Sequence, residues 1–268
     1  MILLRLDAAP CRDSFPKMSR PKKTLPIHPS TKKITFATPA ASTAEVVRRM
    51  QTIQAALPDS DGVKWFNQLY LSVTLAVNAR LAKPKTFEDS DWIERLDVGF
   101  ANLYFAALAA AQKQGAGAAP AAWQPLFQNR ATAGIARLQF ALAGMNAHIN
   151  RDLVAALLAM YSAEGKAPGL NSARFRDYNR VNQILEQVET RMRPALLAGT
   201  PLAKGGHFAP LEDVLAMWNM SAARQAAWDH SQALWRLRTF KPVQQASFDA
   251  LDGLTEVAGK GLLIRVLP

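Results

Sequence analysis

The sequence predicts an all-α protein, a single bundle of about seven helices with a disordered basic N-terminal arm. After residue 40, apolar residues recur at intervals of three and four, which is the period of an amphipathic helix. The sequence contains no alternating strand pair, no Asn-Gly hairpin signal and no long repeat, which disfavours α/β enzymes and solenoids. With 268 residues, 49% of them hydrophobic, the chain can bury a substantial core. We therefore divide it into an arm, residues 1–40, and a helical domain, residues 41–268.

The amino-terminal segment differs from the rest of the chain in its charge and its proline content. Residues 1–33 hold eight basic and two acidic side chains, so they supply +6 of the formal net charge of +11. Five prolines interrupt this segment, and it shows neither helical nor strand periodicity, a composition typical of a disordered arm. The sequence leaves both Met1 and Met18 open as the translation start.

The basic arm is the feature that most suggests nucleic acid, but it lacks the motifs of a nucleic-acid-binding domain. Phe15 is the only aromatic residue among its basic side chains, and no zinc-finger or helix-turn-helix signal accompanies it. Binding of the arm to nucleic acid or a membrane is therefore the least favoured of three functional interpretations. No apolar run is long enough to cross a bilayer, and Arg5 interrupts the apolar start too early for a secretory signal. Because the single cysteine, Cys11, also excludes an internal disulfide, we expect a cytoplasmic protein.

Three helices are predicted before residue 115. Ser42 and Glu45 have the spacing of a capping box, and the helix that they begin runs to Leu57. Continuous apolar stripes predict a second helix over residues 63–82 and a third over residues 90–114.

The remaining helices are predicted after residue 122. A short one covers residues 123–130, and a long one covers residues 131–163 with a bend at Gly144, because glycine inside a helix costs about 1 kcal/mol relative to alanine. Later apolar stripes predict helices over residues 171–194, 211–240 and 243–257.

A block of polar residues interrupts the long helix over residues 144–153. In a continuous helix His148 and Asp152 are four residues apart and share one face, with small neighbours that leave room for a ligand. Asn146 and Asn150 form a second such pair about 160° away around the helix, so both pairs face one cavity only if the helix is distorted. We predict His148 and Asp152 as the central pair of a catalytic site.

Asp97 is the second unusual residue, because it projects from the apolar face of the third predicted helix. A buried carboxylate needs a hydrogen-bond donor, a cation or a metal ion beside it, since desolvation otherwise raises its pKa until it binds a proton. We expect His148 to be this partner. Imidazole and carboxylates together suit a divalent ion such as zinc or manganese, so Asp97, His148 and Asp152 are predicted as catalytic residues and metal ligands. Asp61, Asp177 and Asn182 are weaker candidates that can equally cap helices.

Four sequence blocks stand out together. The most specific is Gly-Met-Asn-Ala-His-Ile-Asn-Arg-Asp-Leu over residues 144–153, and the others are Asp61 with Tyr70, Asp97 with Tyr104, and Arg224 with Trp228. These blocks resemble an uncharacterised family of bacterial helical proteins classed as a domain of unknown function, over about residues 43–240. The resemblance implies a single helical domain and draws attention to His148 and Asp152, and it carries no established reaction. The ligand-binding group that we predict is Asn146, Asn150, Tyr104, Tyr70, Arg224 and Trp228.

The sequence leaves two main functional interpretations. In the first, the protein is an enzyme whose His/Asp site in a bundle cavity performs metal-assisted hydrolysis or lyase chemistry on a small molecule. The alternative is a non-catalytic small-molecule-binding or structural protein, in which the His, Asp and Asn side chains form a buried hydrogen-bond network.

Overall fold

The structure is a computed structural model, and it describes residues 34–207, 209, 212 and 219–267. The α-helices of these residues are α1 (Thr43–Ala56), α2 (Gly62–Leu81), α3 (Ser90–Gln114), α4 (Gln124–Asn129), α5 (Arg137–Ala147), α6 (Val154–Glu164), α7 (Ala173–Leu197), α8 (Met220–Arg236) and α9 (Lys241–Leu262). The described residues contain no β-strand, and none of their helices is long and apolar enough to cross a membrane. The predicted all-α fold class is therefore confirmed. Residues 1–33 of the predicted arm, with Cys11 and Met18, lie outside the described residues.

The first three helices begin at polar side chains that cap them. Ser42, Asp61 and Asp89 each accept a backbone N–H from the first turn of the helix that follows, at 3.3, 3.0 and 3.1 Å. Such a cap satisfies one of the donors that a helix leaves unpaired at its start. The caps explain why α1, α2 and α3 begin close to the positions that the apolar stripes predict.

The long helix predicted from residue 131 begins later, at Arg137, and its irregularity is not at Gly144. Gly134 has a φ of +80°, a conformation that favours glycine, and its carbonyl accepts the backbone N–H groups of Val266 and Leu267 at 3.0 and 2.9 Å. This contact with the C-terminal segment holds residues 131–136 out of the helix. α5 then continues through Gly144, and a single π-helical turn, His148–Leu153, connects it to α6. We call this segment the π turn.

α2 and α5 pack closely because each offers a glycine to a phenylalanine of the other. A Cβ atom on Gly62 would lie 2.3 Å from Phe140 Cδ1, and a Cβ atom on Gly144 would lie 2.3 Å from Phe66 Cγ. Both distances are shorter than any contact between carbon atoms in a packed core. The small volume of the glycines at these two positions therefore sets how near α5, and the π turn that follows it, lies to α2.

The C-terminal helix α9 is attached to α5 through a buried amide. Gln139 donates from Nε2 to the carbonyl oxygens of Leu262 and Ile264 at 2.9 and 2.8 Å, and its Oε1 accepts the backbone N–H of Ala136 at 2.9 Å. One side chain thus binds a backbone N–H group at the start of α5 and two backbone carbonyl groups at the end of α9. This places the inner face of α9 against the helix that carries the polar block.

Gly144→Ala is expected to lower the free energy of unfolding by about 1 to 3 kcal/mol, because the new methyl group overlaps the Phe66 ring. Denaturant unfolding of the purified variant measures this change. Gly99→Ala is the matched control, since a Cβ atom there meets no described atom within 4 Å in helix α3, and it should stabilise by up to about 1 kcal/mol. Equal effects of the two substitutions would contradict the close packing of α2 and α5.

Candidate active site

The two polar pairs of the sequence block lie on different sides of the helix, although the π turn distorts it. Asn150 Nδ2 donates to Asn146 Oδ1 at 2.9 Å, and Asn146 Nδ2 donates to the carbonyl of Thr255 on α9 at 2.9 Å. His148 and Asp152 instead lie against α2, α3 and the segment before α4, where both side chains are fully buried. A π turn inserts one extra residue into a helix and occurs frequently at functional sites. The two pairs therefore do not converge on one cavity.

Aromatic rings fix the imidazole of His148 in place. The ring of Phe100 stacks on it with centroids 3.5 Å apart and planes within 7°, and the Tyr70 ring meets it edge-on at 4.3 Å. His148 Nδ1 lies 3.2 Å from Asp152 Oδ2. Burial lowers the pKa of His148 below its ordinary value of 6.5, while Asp152 partly opposes this shift. The imidazole is therefore neutral at neutral pH.

Asp152 is the acceptor at the centre of this arrangement. Its Oδ2 accepts the indole N–H of Trp123 at 2.9 Å, and its Oδ1 accepts Arg151 Nη1 at 2.7 Å. Because a carboxylate only accepts hydrogen bonds, the proton of the His148–Asp152 contact belongs to His148 Nδ1. His148 Nε2 then carries a lone pair, and it has no hydrogen-bond partner among the described residues. The pair thus presents one oriented basic nitrogen.

A second carboxylate extends the network to the C-terminal helix. Arg151 Nε lies 3.2 Å from Asp252 Oδ1 on α9, and Asp252 accepts the backbone N–H groups of Ala121 and Ala122 at 3.1 and 2.9 Å. These two residues begin the 3₁₀ turn Ala121–Trp123, which carries the indole that binds Asp152. Asp252 on the inner face of α9 therefore helps to position Arg151 and the turn that carries Trp123, the two residues whose side chains donate to Asp152.

A cavity of about 50 Å³ adjoins His148 between α2, α3, the π turn, α7 and α8. Because a water molecule occupies about 10 to 15 Å³ by this measure, the cavity holds about three to five waters or a molecule of a few non-hydrogen atoms. The polar side chains along its walls are Tyr70, Asp97, His148, Tyr178 and Arg224. The remaining lining residues are apolar, so a few polar groups face an otherwise apolar space, as is typical of small-molecule sites.

Asp97 and Tyr70 place two further polar groups beside this cavity. Asp97 is partly buried, and within the part of the chain that the structure describes its Oδ2 has no hydrogen-bond partner. Burial and, to a smaller extent, repulsion from Glu94 raise the pKa of Asp97 to about 7, although Arg224 opposes the shift. The Tyr70 hydroxyl likewise finds no partner in the described residues, and burial raises its pKa well above 10. The expected Asp97–His148 hydrogen bond is not formed, because His148 binds Asp152 instead.

Arg224 supplies a buried cation to the same cavity. Its Nε donates to Asn182 Oδ1 and its Nη2 donates to the Tyr178 carbonyl, both at 2.8 Å, and its guanidinium lies 4.1 Å from the Tyr178 ring centroid. Its Nη1 makes no hydrogen bond to any described residue. Burial lowers the pKa of Arg224, and arginine remains protonated even so. Neutral groups of the described residues thus hold the Arg224 guanidinium, and its Nη1 can donate to an acceptor atom of a ligand.

The predicted ligand-binding group is divided among four places. Tyr70 and Arg224 line the cavity, and the two asparagines face α9. The Tyr104 hydroxyl donates to Asn67 Oδ1 at 3.3 Å, and its ring packs against Phe66 and Trp123 in the core. Trp228 packs between other aromatic rings, at 4.8 Å from Phe175 and 4.9 Å from Tyr178.

The predicted metal site has no complete ligand set in the structure. In residues 34–207, 209, 212 and 219–267, no group of three His, Cys, Asp or Glu side chains is arranged to hold a metal ion. Both oxygens of Asp152 already contact side chains of the described residues, namely Trp123, His148 and Arg151.

Sequence reasoning missed the side chains that hold the His148–Asp152 pair in place. Trp123 lies 29 residues before Asp152, and Asp252 lies 100 residues after it, so no local spacing indicates either contact. Arg151 is part of the polar block and was open to prediction as the neighbour of a buried carboxylate. Phe100 lies three residues after Asp97, on the apolar face that this carboxylate shares.

One comparison with known proteins gives a match. The model of a family described as a family of unknown function, DUF5995, matches residues 43–265. No curated protein and no solved structure matches the chain.

Asp97→Asn is expected to stabilise the protein more at pH 8 than at pH 4. The raised pKa means that unfolded Asp97 ionises from about pH 4 upward, while folded Asp97 stays protonated until about pH 7, so this residue costs stability as the pH rises between these values. Asparagine removes that cost. Free energies of unfolding at the two pH values measure the difference.

The control for this prediction is Asp91→Asn, which changes an exposed carboxylate in the first turn of the same helix, α3. Its effect should not rise between pH 4 and pH 8 as that of Asp97→Asn does. If the two variants showed the same pH dependence, burial of Asp97 would not be the source of the effect.

Proposed function

The chain belongs to this family of unknown function, and we propose that its cavity is the active site of an enzyme that transfers protons to or from a small molecule. His148 acts as the general base and acid through Nε2, and Asp152 orients the imidazole. Arg224, Asp97 and Tyr70 bind the polar part of the molecule, and the apolar walls bind the rest. Hydrolysis and lyase chemistry both use such a base.

One observation carries this proposal. His148 is fully buried and lines the cavity, its Nδ1 is fixed by Asp152, and its Nε2 has no hydrogen-bond partner among the described residues. A buried polar atom without a partner costs free energy, and a merely structural histidine gains nothing from it. A base that must accept a substrate proton requires such an unpaired nitrogen.

The polar groups of the cavity favour a ligand with an acceptor atom at one end. The Arg224 cation has one nitrogen that no described residue binds, and Asp97, with a pKa of about 7, can donate a hydrogen bond in its protonated form. A carboxylate or carbonyl group of a short compound fits these donors. We assign proton transfer to His148 itself, because Asp152 fixes its Nδ1, its Nε2 has no hydrogen-bond partner among the described residues, and the residue lines the cavity.

The test uses deuterium exchange with small carbonyl acids, because proton abstraction next to a carbonyl in D₂O replaces hydrogen by deuterium. Pyruvate and acetoacetate serve as probes, and saturation-transfer NMR measures their binding first. Wild-type protein is expected to bind at least one probe and to exchange its α-hydrogens. His148→Gln should lower the exchange rate by about 100-fold or more, the range that general bases contribute.

The control for this test is His230→Gln, which changes an exposed histidine on α8 and should leave binding and exchange unchanged. Asp152→Asn should lower the exchange rate while the probe still binds, since Asp152 acts through the orientation of His148. Exchange that persists in His148→Gln would refute the assignment of the base.

The second candidate function is a non-catalytic one, and the Asp152 network favours it. Three donors surround Asp152, and Arg151 connects it to Asp252 on α9. Buried polar networks of this kind fix how helices pack. Probes that bind without exchange would support a binding protein. No binding, together with strong destabilisation by His148→Gln, would support a structural network.

We propose that the protein acts in the cytoplasm under either function, since Cys11 has no second cysteine with which to form an internal disulfide.

A further inference from the structure

A cation and a lone pair in the walls of the cavity both lack a hydrogen-bond partner among the described residues. The cation is Arg224, whose Nη1 makes no hydrogen bond, and the lone pair is that of His148 Nε2. Both residues line the same cavity of about 50 Å³. Because a buried polar group without a partner costs free energy, these two groups indicate what a ligand of the cavity has to offer.

The Arg224 guanidinium favours a ligand with a negative charge. Its partners are neutral, namely the Asn182 amide, the Tyr178 carbonyl and the Tyr178 ring. Within the described residues it forms no ion pair, although Asp97 interacts with it electrostatically. A charge in a dry interior is stabilised by an opposite charge that also accepts a hydrogen bond, so a ligand that reaches Nη1 gains most from a carboxylate group.

The lone pair of His148 Nε2 requires a donor from the same ligand. Carboxylate oxygens only accept hydrogen bonds, so a simple carboxylate leaves Nε2 unpaired, whereas a hydroxyl group supplies one donor for this one acceptor. An ammonium group also donates, but its charge needs a carboxylate beside it. Burial raises the pKa of Asp97 to about 7, so at pH 6.5 most of this side chain is protonated and carries no such charge.

The size of the cavity restricts the ligand to a short compound. The cavity has room for about three to five waters, and glycolate, the smallest hydroxycarboxylate, has about as many non-hydrogen atoms. The walls between Arg224 and His148 include the apolar side chains of Ile93, Phe100 and Val181, which suit the C–H groups of such a compound.

We infer that the cavity binds a short hydroxycarboxylate anion, with its carboxylate on Arg224 and its hydroxyl group donating to His148 Nε2. This inference rests on the proposed function, because it names the substrate class of the same site. The hydroxyl proton is then hydrogen-bonded to the nitrogen that serves as the general base.

Calorimetric titration of the full chain with glycolate and with propionate tests the inference at pH 6.5, where His148 is mostly neutral and Asp97 mostly protonated. The two anions have equal numbers of non-hydrogen atoms, and glycolate has a hydroxyl group where propionate has a methyl group. Wild-type protein is expected to bind glycolate about tenfold more tightly, the contribution of one buried hydrogen bond. Glycine, which has an ammonium group at that position, should bind more weakly than glycolate.

Two variants separate the contacts of the carboxylate from those of the hydroxyl group. Arg224→Gln should weaken the binding of glycolate and propionate alike, by about 10- to 100-fold, because both lose a charged donor. His148→Leu should abolish the preference for glycolate and still bind propionate, since leucine accepts no hydrogen bond. Arg236→Gln is the matched control, because it removes an exposed arginine of the same helix, α8, and it should leave both affinities unchanged.

A measurement on the wild-type protein decides the question even if a variant fails to fold. Glycolate should shift the ¹⁵N resonance of His148 Nε2 upfield, as the acceptance of a hydrogen bond does, and propionate should shift it less. The inference is overturned if glycolate binds no more tightly than propionate or glycine, if it leaves the Nε2 resonance unchanged, or if its preference persists in folded His148→Leu.

The failure of this inference is distinguishable from that of the proposed function. Exchange of α-hydrogens in pyruvate or acetoacetate without any preference for glycolate would overturn the hydroxycarboxylate class alone. A preference for glycolate that depends on Arg224 and His148, without exchange of either probe, would support the class and count against the proposed proton transfer.

Discussion

The buried carboxylate of Asp152 is the constraint on which the rest of the site depends. A charge in a dry interior is stable only when donors surround it, and here the donors are His148, Trp123 and Arg151. Each comes from a segment whose position is fixed by packing elsewhere in the bundle. The orientation of the imidazole is therefore a consequence of charge satisfaction, and its second nitrogen is left without a hydrogen-bond partner among the described residues.

The packing of the helices determines where this carboxylate can lie. Close contact of α2 with α5 brings the π turn against the aromatic residues of α2 and α3. There Phe100 and Tyr70 pack against the His148 imidazole. α9 closes the other side, since Asp252 holds Arg151 and the backbone that carries Trp123. The outer surface of α9 is thus one helix thickness away from the network that orients His148.

The sequence predicts the helices well, because their apolar stripes are long and their caps are local. It also identifies His148, Asp152, Asp97, Tyr70 and Arg224, which are unusual for their surroundings in a helical pattern. It does not predict the π turn, since one inserted residue has no local signature, and a bend at Gly144 was expected instead. Contacts between distant segments, such as that of Trp123 with Asp152, depend on tertiary packing that periodicity does not encode. For the same reason the Asp97–His148 hydrogen bond was a wrong expectation.

The protonation of the His148 ring tests the central claim most directly, and ¹⁵N NMR of the imidazole nitrogens measures it. The chain has four histidines, so comparison with His148→Gln assigns the signals. We predict a neutral ring at pH 7 with the proton on Nδ1 and a lone pair on Nε2, and titration below the ordinary pKa of 6.5. A proton on Nε2, or an imidazolium at pH 7, would contradict the account, because His148 would then offer no base to the cavity.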